Sequence, residues 1–440
     1  MLQFIKWSLT AMLMGAFAAS ATARADDFHG FPDFDGRKIG HVWIIVLENE
    51  GFDTTFGPTS LAPFLSKTLP SHGVMLNQYY ATGHVSLDNY ISMVSGQGPT
   101  VQTRVDCTFY DDFKLTSITA DGQAVGTGCV YPPQIKTVGD QLTAARLSWK
   151  GYMEDMGKNP LREQSVCGQP LITINGVTQV ALNKIDGTQS AEAFPGGDQY
   201  AARHNPFAYF HSLIDSGQCA KHVVNFTQLQ GDLAFERTTP RFSFITPNLC
   251  HDGHDGNGTT SKCKNTVEPG GLVSIDAFLK QTVPMIMNSP AYKEDGLIIV
   301  TFDEGGLAFD GANNQIAAEG VSCCGQQPGP NIAPLLVPGQ PLKLGFENAD
   351  GSPPNFFTTT TGFGGDRIGA VLLSPFLKPG TVSNVPFNHY SMLKTVEDIF
   401  GLNHLGYAAQ PGLQGFFGCT SSDIRIGGDD DQFGSCRRPD

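Results

Sequence analysis

The sequence predicts an α/β fold of three layers, with a mostly parallel sheet between helices. Apolar runs of strand length at 41–47, 241–246, 297–302 and 368–373 are continuous rather than alternating, the pattern of strands buried on both faces of a parallel sheet. Stretches with helical spacing separate them, such as 276–287 and 391–400, where Leu393, Val396, Ile399 and Phe400 share a face. Three of the runs end abruptly in polar groups: Glu48-Asn49, Asn248 with His251-Asp252, and Asp303-Glu304. Strands alternating with helices make a layered domain. In open sheets of this kind the ligand crevice lies beyond the carboxyl ends of the strands, so the three clusters are expected on one rim.

The amino-terminal residues stand outside this pattern. Residues 1–25 carry Lys6, an apolar stretch at 7–19 and the small-x-small site Ala23-Arg24-Ala25, followed by Asp26-Asp27. That is the layout of a cleaved secretory signal rather than a membrane span, and it predicts an exported protein, periplasmic or secreted. Ten cysteines fit an oxidising compartment and match no common zinc framework. Cys107 with Cys129, Cys250 with Cys263, and Cys419 with Cys436 bracket short segments, and the adjacent Cys323 and Cys324 are expected in two separate bridges. The net charge of −14 becomes −16 once Lys6 and Arg24 are removed, which argues against a nucleic-acid partner. No second long apolar stretch is present, so no transmembrane segment is expected after cleavage. No linker, charge block or repeat divides residues 26–440, which read as one domain with insertions near 99–137 and 305–365. Both insertions are rich in Gly, Pro, Asn and Gln, show little periodicity, and are expected as surface excursions roofing the site.

Carboxylates at the ends of buried strands are costly unless a positive charge sits among them. Glu48, Asn49, Asp303 and Glu304, with Asp252 as a further candidate, form an oxygen-rich set suited to a divalent ion. Calcium, magnesium, manganese, zinc and iron all stay open. Taken singly, these residues equally fit helix caps and solvated turns. Ser86 stands just before a stretch with helical spacing at 87–94, where backbone amides and the helix dipole favour an anionic phosphate. Metal coordination would lower its hydroxyl pKa. A plain N-cap is the competing reading of Ser86, and Thr82, Ser92 and Ser95 are rival nucleophiles. Among the histidines, His204, His254 and His389 are candidates for catalysis: His254 with Asp252 and Asp255 for a second metal or the phosphate oxygens, His389 for protonating the leaving group or ligating metal. Segment 251–258 has the composition of a calcium loop but lacks the terminal glutamate of a helix-loop-helix site.

Four blocks coincide with a known pattern: Leu47-Glu48-Asn49 with Phe52-Asp53; His84 to Tyr90 with Ser95-Gly96; Thr301-Phe302-Asp303-Glu304-Gly305; and Asn388-His389-Tyr390-Ser391. With these the chain resembles the bacterial phosphoesterase family that groups AcpA-type acid phosphatases with non-specific phospholipases C, within the alkaline-phosphatase-like superfamily. The resemblance implies that Glu48, Asn49, Asp303 and Glu304 hold the metal, with Ser86 as ligand and as the nucleophile that becomes phosphoserine. It implies also that Asn89, His204, His254 and His389 serve the phosphoryl group. The sequence departs from the pattern at Glu304, where some relatives carry Asp, and at Val85 and Asp88, where many carry proline. The expected function is phosphomonoester hydrolysis of a small molecule or lipid headgroup. A phospholipase C-type phosphodiesterase is the alternative, and a non-catalytic exported metal-binding protein stands in a different class.

Overall fold

The computed structural model describes residues 39–192, 197–264, 266–306, 308–310, 315–346 and 356–417. The proposed signal at 1–25, Cys419 and Cys436 lie outside the described residues. The continuous apolar runs become the centre of one sheet. Its strands in chain order are β1 (His41–Leu47), β2 (Val74–Leu76), β3 (Trp149–Met153), β4 (Val223–Asn225), β5 (Phe242–Thr246), β6 (Gly296–Phe302), β7 (Ala370–Leu373) and β8 (Thr381–Ser383). They are arranged β8-β2-β7-β6-β1-β5-β3-β4. Only β7 runs against the others; the pairs along β6-β1-β5-β3-β4 are parallel. Every residue of β1, β5 and β6 is buried, which explains why those segments lack polar alternation. This is the expected α/β architecture with a mostly parallel central sheet.

The three longest helices among the described residues are α1 (Ser86–Ser95), α2 (Gly271–Met287) and α3 (His389–Phe400). α1 is buried along its whole length and packs against α3. Its last turn ends at Gly96, in the left-handed region at φ 66°, where a Cβ would stand 2.1 Å from the Leu405 carbonyl oxygen, so only glycine fits. α3 is capped by Asn388, whose side chain accepts the Ser391 N–H at 3.1 Å. α1 has no such cap of its own. Its N-cap residue is Val85, and Ser86 is the first residue inside the helix rather than the cap.

The two aperiodic stretches contain more structure than their composition implies. Strands Lys114–Ile118 and Ala124–Thr127 form a hairpin, and Ala308–Asp310, Gln315–Ala318, Leu342–Phe346 and Phe356–Thr360 form a separate sheet. Strands of three to five residues are too short for periodicity to reveal. The second excursion is closed at its base, where the Gly305 N–H donates to the Gly365 carbonyl at 2.8 Å.

Disulfides join Cys107 to Cys129, Cys250 to Cys263 and Cys167 to Cys219. The expectation of two separate bridges for Cys323 and Cys324 is corrected: they are bonded to each other, and the other cysteines among the described residues are taken up in their own pairs. The Cys167–Cys219 bridge seals one margin of the sheet. The Cys167 N–H donates to the Val223 carbonyl at 3.0 Å, covering an edge strand that would otherwise offer open hydrogen-bonding groups. Replacing both cysteines with alanine is expected to lower stability by about 2–5 kcal/mol, measured by urea denaturation of the oxidised proteins; an unchanged midpoint would refute this role.

Candidate active site

Strand register assembles the site. Leu47 lies opposite Phe302 in the β1–β6 pair, so Glu48 and Asp303, the next residue of each strand, emerge side by side. The Asp303 N–H donates to the Leu47 carbonyl at 2.8 Å, and the Glu48 N–H to the Asp252 carbonyl at 2.8 Å, which ties in the loop after β5. The clusters predicted at three strand ends do meet on one rim. His204 joins them from a short 3-10 turn at Ala202–His204.

Glu48 is the hub. Its Oε2 accepts the Ser86 hydroxyl at 2.9 Å and the Asn49 amide at 3.1 Å. Its Oε1 accepts the Tyr90 hydroxyl at 2.9 Å. Ser86 and Tyr90 are one helical turn apart on α1, which is why both reach one carboxylate. His204 Nε2 lies 3.1 Å from Glu48 Oε1 without hydrogen-bond alignment, while its Nδ1 pairs with Asp252 Oδ2 at 3.0 Å. The imidazole stacks on Tyr90 with centroids 5.3 Å apart. Glu48, His204 and Asp252 each offer a ligand atom, all within 4.8 Å of one another.

The charge balance of this cluster is unfavourable without a cation. Burial, then the neighbouring Asp303 and Asp252, push the Glu48 carboxyl well above its usual range. Burial raises Asp252 as well, and burial followed by Glu304 brings Asp303 up to about 8. Burial and then Arg203 hold His204 well below its ordinary value, so it is neutral, as a metal ligand must be. Asp303 Oδ2 and Asn49 Oδ1 are buried with no partner. Crowded carboxylates, a neutral imidazole and unpartnered oxygens form a donor set that fits a divalent ion.

The remaining predicted residues divide between this cluster and its supports. Glu304 gives one oxygen to His84 Nδ1 in a very short contact, and His84 Nε2 reaches Asp366 at 3.1 Å. Burial opposes a charge on His84, but Glu304 and Asp366 outweigh it and bring the imidazole to about 9. His389 is fully buried behind Asp303. Its Nε2 meets the Asp303 carbonyl at 2.6 Å and its Nδ1 the Tyr79 hydroxyl at 3.0 Å, and burial holds it down to about 3. It is therefore neutral, with its N–H spent on that carbonyl. His254 Nε2 accepts from Arg203 at 2.9 Å and its Nδ1 meets Asp255 at 2.9 Å; a guanidinium only donates, so the proton sits on Nδ1. Asn89 turns back onto the loop before α1, accepting the Thr82 and Gly83 N–H groups at 2.9 Å and donating to the Gly83 and Val85 carbonyls at 2.9 and 3.1 Å. The rival hydroxyls are engaged elsewhere: Thr82 with Ser92 at 2.7 Å, and Ser95 with the Ile91 carbonyl at 2.7 Å. Of the four, Ser86 is the one whose hydroxyl lies on a carboxylate of the cluster.

Sequence reasoning missed Arg203, which is 2 % exposed and pairs with Asp106 at 3.3 Å. Its position directly before His204, in a chain otherwise short of cations near the acidic clusters, is the signal that marks it.

A phosphate-repressible acid phosphatase of Penicillium chrysogenum is 28 % identical over 270 residues, covering 61 % of this chain and 48 % of the relative. A phosphatidylinositol-3-phosphatase of Mycobacterium tuberculosis is 23 % identical over 84 % of this chain and 80 % of its own length. The chain spans about half the length of the fungal and yeast acid phosphatases it matches. A solved structure of a protein in the alkaline phosphatase superfamily from Vibrio parahaemolyticus matches with a TM-score of 0.42 and 14 % identity, over 84 % of this chain and 69 % of that one. The phosphoesterase family model matches residues 62–403, a span that takes in Ser86, His204, Asp252, Asp303 and His389, and the chain belongs to that family.

Proposed function

We propose that this chain is an exported, divalent-metal-dependent phosphoric monoester hydrolase that works through a phosphoserine at Ser86. One observation carries the reading: the Ser86 hydroxyl, at the first residue of α1, lies 2.9 Å from Glu48 within a buried set of acidic groups. Glu48, His204 and Asp252 would hold the ion, with Asn49 and Asp303 beside them. When bound, the ion supplies charge neutralisation and a lowered hydroxyl pKa.

The chain's own residues account for the rest. The Ser86 hydroxyl hydrogen points at Glu48 Oε2, so the oxygen is free to attack phosphorus along its lone pair. As the Ser86 Oγ–P bond forms, the hydroxyl proton passes to Glu48 Oε2 and the P–O bond to the alcohol breaks, the leaving oxygen taking a proton from solvent. Water then attacks phosphorus from the opposite side, giving a proton to solvent, and Ser86 Oγ leaves with the proton held on Glu48, giving inorganic phosphate. Tyr90 and Asn49 hold Glu48 in place, while His389 fixes the Asp303 backbone through its carbonyl. Arg203 is the buried cation beside the site and favours an anionic substrate. The curated relatives' names, acid phosphatase and phosphatidylinositol-3-phosphatase, support monoesters over diesters. The disulfides support export, since such bonds persist outside the cytoplasm.

Ser86→Ala is expected to lower kcat/KM for p-nitrophenyl phosphate by about a thousandfold or more while leaving the thermal midpoint unchanged; full activity would sink the nucleophile assignment. Bis(p-nitrophenyl) phosphate should turn over more slowly than the monoester, and the reverse preference would move the assignment to a phospholipase C-type diesterase. Adding a divalent ion to chelator-treated protein should raise the thermal midpoint, by about 2.7 kcal/mol of stability at a hundred times Kd. Asp252→Asn should abolish that gain, which calorimetry reads without any substrate. A midpoint indifferent to every ion from magnesium to zinc would count against the metal centre.

A further inference from the structure

α1 starts without a cap of its own, because Val85 at the N-cap offers no acceptor. The first amides of a helix need partners from elsewhere. Here the partner comes from a turn nearly twenty residues downstream: Asp106 Oδ1 accepts the Leu87 N–H at 2.9 Å. Its other oxygen is held by Arg203 Nε at 3.3 Å. The same turn reaches α1 a second time, since Arg104 Nε lies 3.8 Å from Asp88 Oδ2, with both side chains 1 % exposed. Arg104 also donates to the Phe363 carbonyl at 3.0 Å, anchoring the turn from the other side. The turn is wound tightly, with Asp106 at φ 56° and Cys107 at φ 50°, a region that side chains other than glycine seldom occupy. The Cys107–Cys129 disulfide lies directly beside it. None of these groups touches Ser86, Glu48 or His204 by a hydrogen bond, yet both contacts fall on the two residues immediately after Ser86.

We propose that the turn at 103–107, braced within its own excursion by Cys107–Cys129, is a clamp on the first turn of α1, with Asp106 and Arg104 as positioning residues for Ser86. Asp106 supplies from a distance the cap that Val85 cannot. Arg104 places a buried positive charge beside Asp88 in the same turn of the helix. Together they hold the Ser86 hydroxyl in line with Glu48, where a displacement of about an ångström costs on the order of a hundredfold in rate. The clamp rests on the reading of Ser86 as nucleophile.

The test compares Asp106→Ala and Asp106→Asn in the full oxidised chain. Asparagine keeps an oxygen for the Leu87 N–H; alanine keeps none. For p-nitrophenyl phosphate, Asp106→Ala should lose about tenfold or more in kcat with KM within about twofold, and Asp106→Asn should recover to within about threefold of the parent. Hydrogen exchange over residues 82–90 should quicken in Asp106→Ala and not in Asp106→Asn. If Asp106→Ala does not fold, Asp106→Glu takes its place: the charge for Arg203 stays, the carboxylate moves by one methylene, and the same kcat loss is expected. Unchanged kcat in a folded Asp106→Ala or Asp106→Glu variant overturns the clamp, as does a loss that Asp106→Asn shares in full. The exchange result separates the two readings. Full activity in Ser86→Ala removes the nucleophile assignment, whereas unaltered exchange in Asp106→Ala removes the clamp alone.

Discussion

The crowding of buried carboxylates at the ends of three neighbouring strands is the constraint on which the rest of the structure depends. Glu48, Asp252 and Asp303 have no solvent exposure, and the buried cation beside them, Arg203, is already shared with Asp106. Such an arrangement is unstable in isolation. The surroundings are organised to contain it: backbone amides donate to Asp303, Ser86 and Tyr90 donate to Glu48, and His204 pairs through Nδ1 with Asp252. What these contacts leave over is a site with negative charge to spare and donor atoms without partners, which is the physical basis for reading it as a metal-assisted phosphoester centre.

Much of the fold was legible because its central strands are buried on both faces. Continuous apolar runs ending in acid or amide residues announced β1, β5 and β6 together with the groups at their ends, and Glu48 and Asp303 were visible for that reason. Periodicity also located α1, α2 and α3. The excursions were less legible, since short strands leave no periodic trace and the pairing of Cys323 with Cys324 depends on a turn that composition does not reveal.

Within the site, residue type could be read where side-chain direction could not. Asn89 stood out beside Ser86, but whether its amide turns forward to a substrate or back to the loop at 82–85 is decided by the helix start. His389 presents the same difficulty: its position at a helix terminus was plain, its burial behind the Asp303 carbonyl was not. His204 lies in a 3-10 turn with no periodic signal, so its approach to both Glu48 and Asp252 emerges only from three-dimensional packing. Arg203 and Asp106 escaped notice because neither ends a strand, and Arg203 is marked only by standing directly before His204.

The hydrogen bond between Gly305 and Gly365 brings the two ends of the second excursion together at the edge of the acidic floor. For a segment whose ends are joined in this way, the entropy of closure rises only slowly with its length. Some of its residues are held from inside, Phe363 by Arg104 and Gln326 by the Thr82 carbonyl, so length can change only between such anchors while Asp303 stays where β6 puts it. Tolerance of added residues is therefore uneven, least at the strand ends that carry the acidic floor and greatest between the anchored points of the excursion.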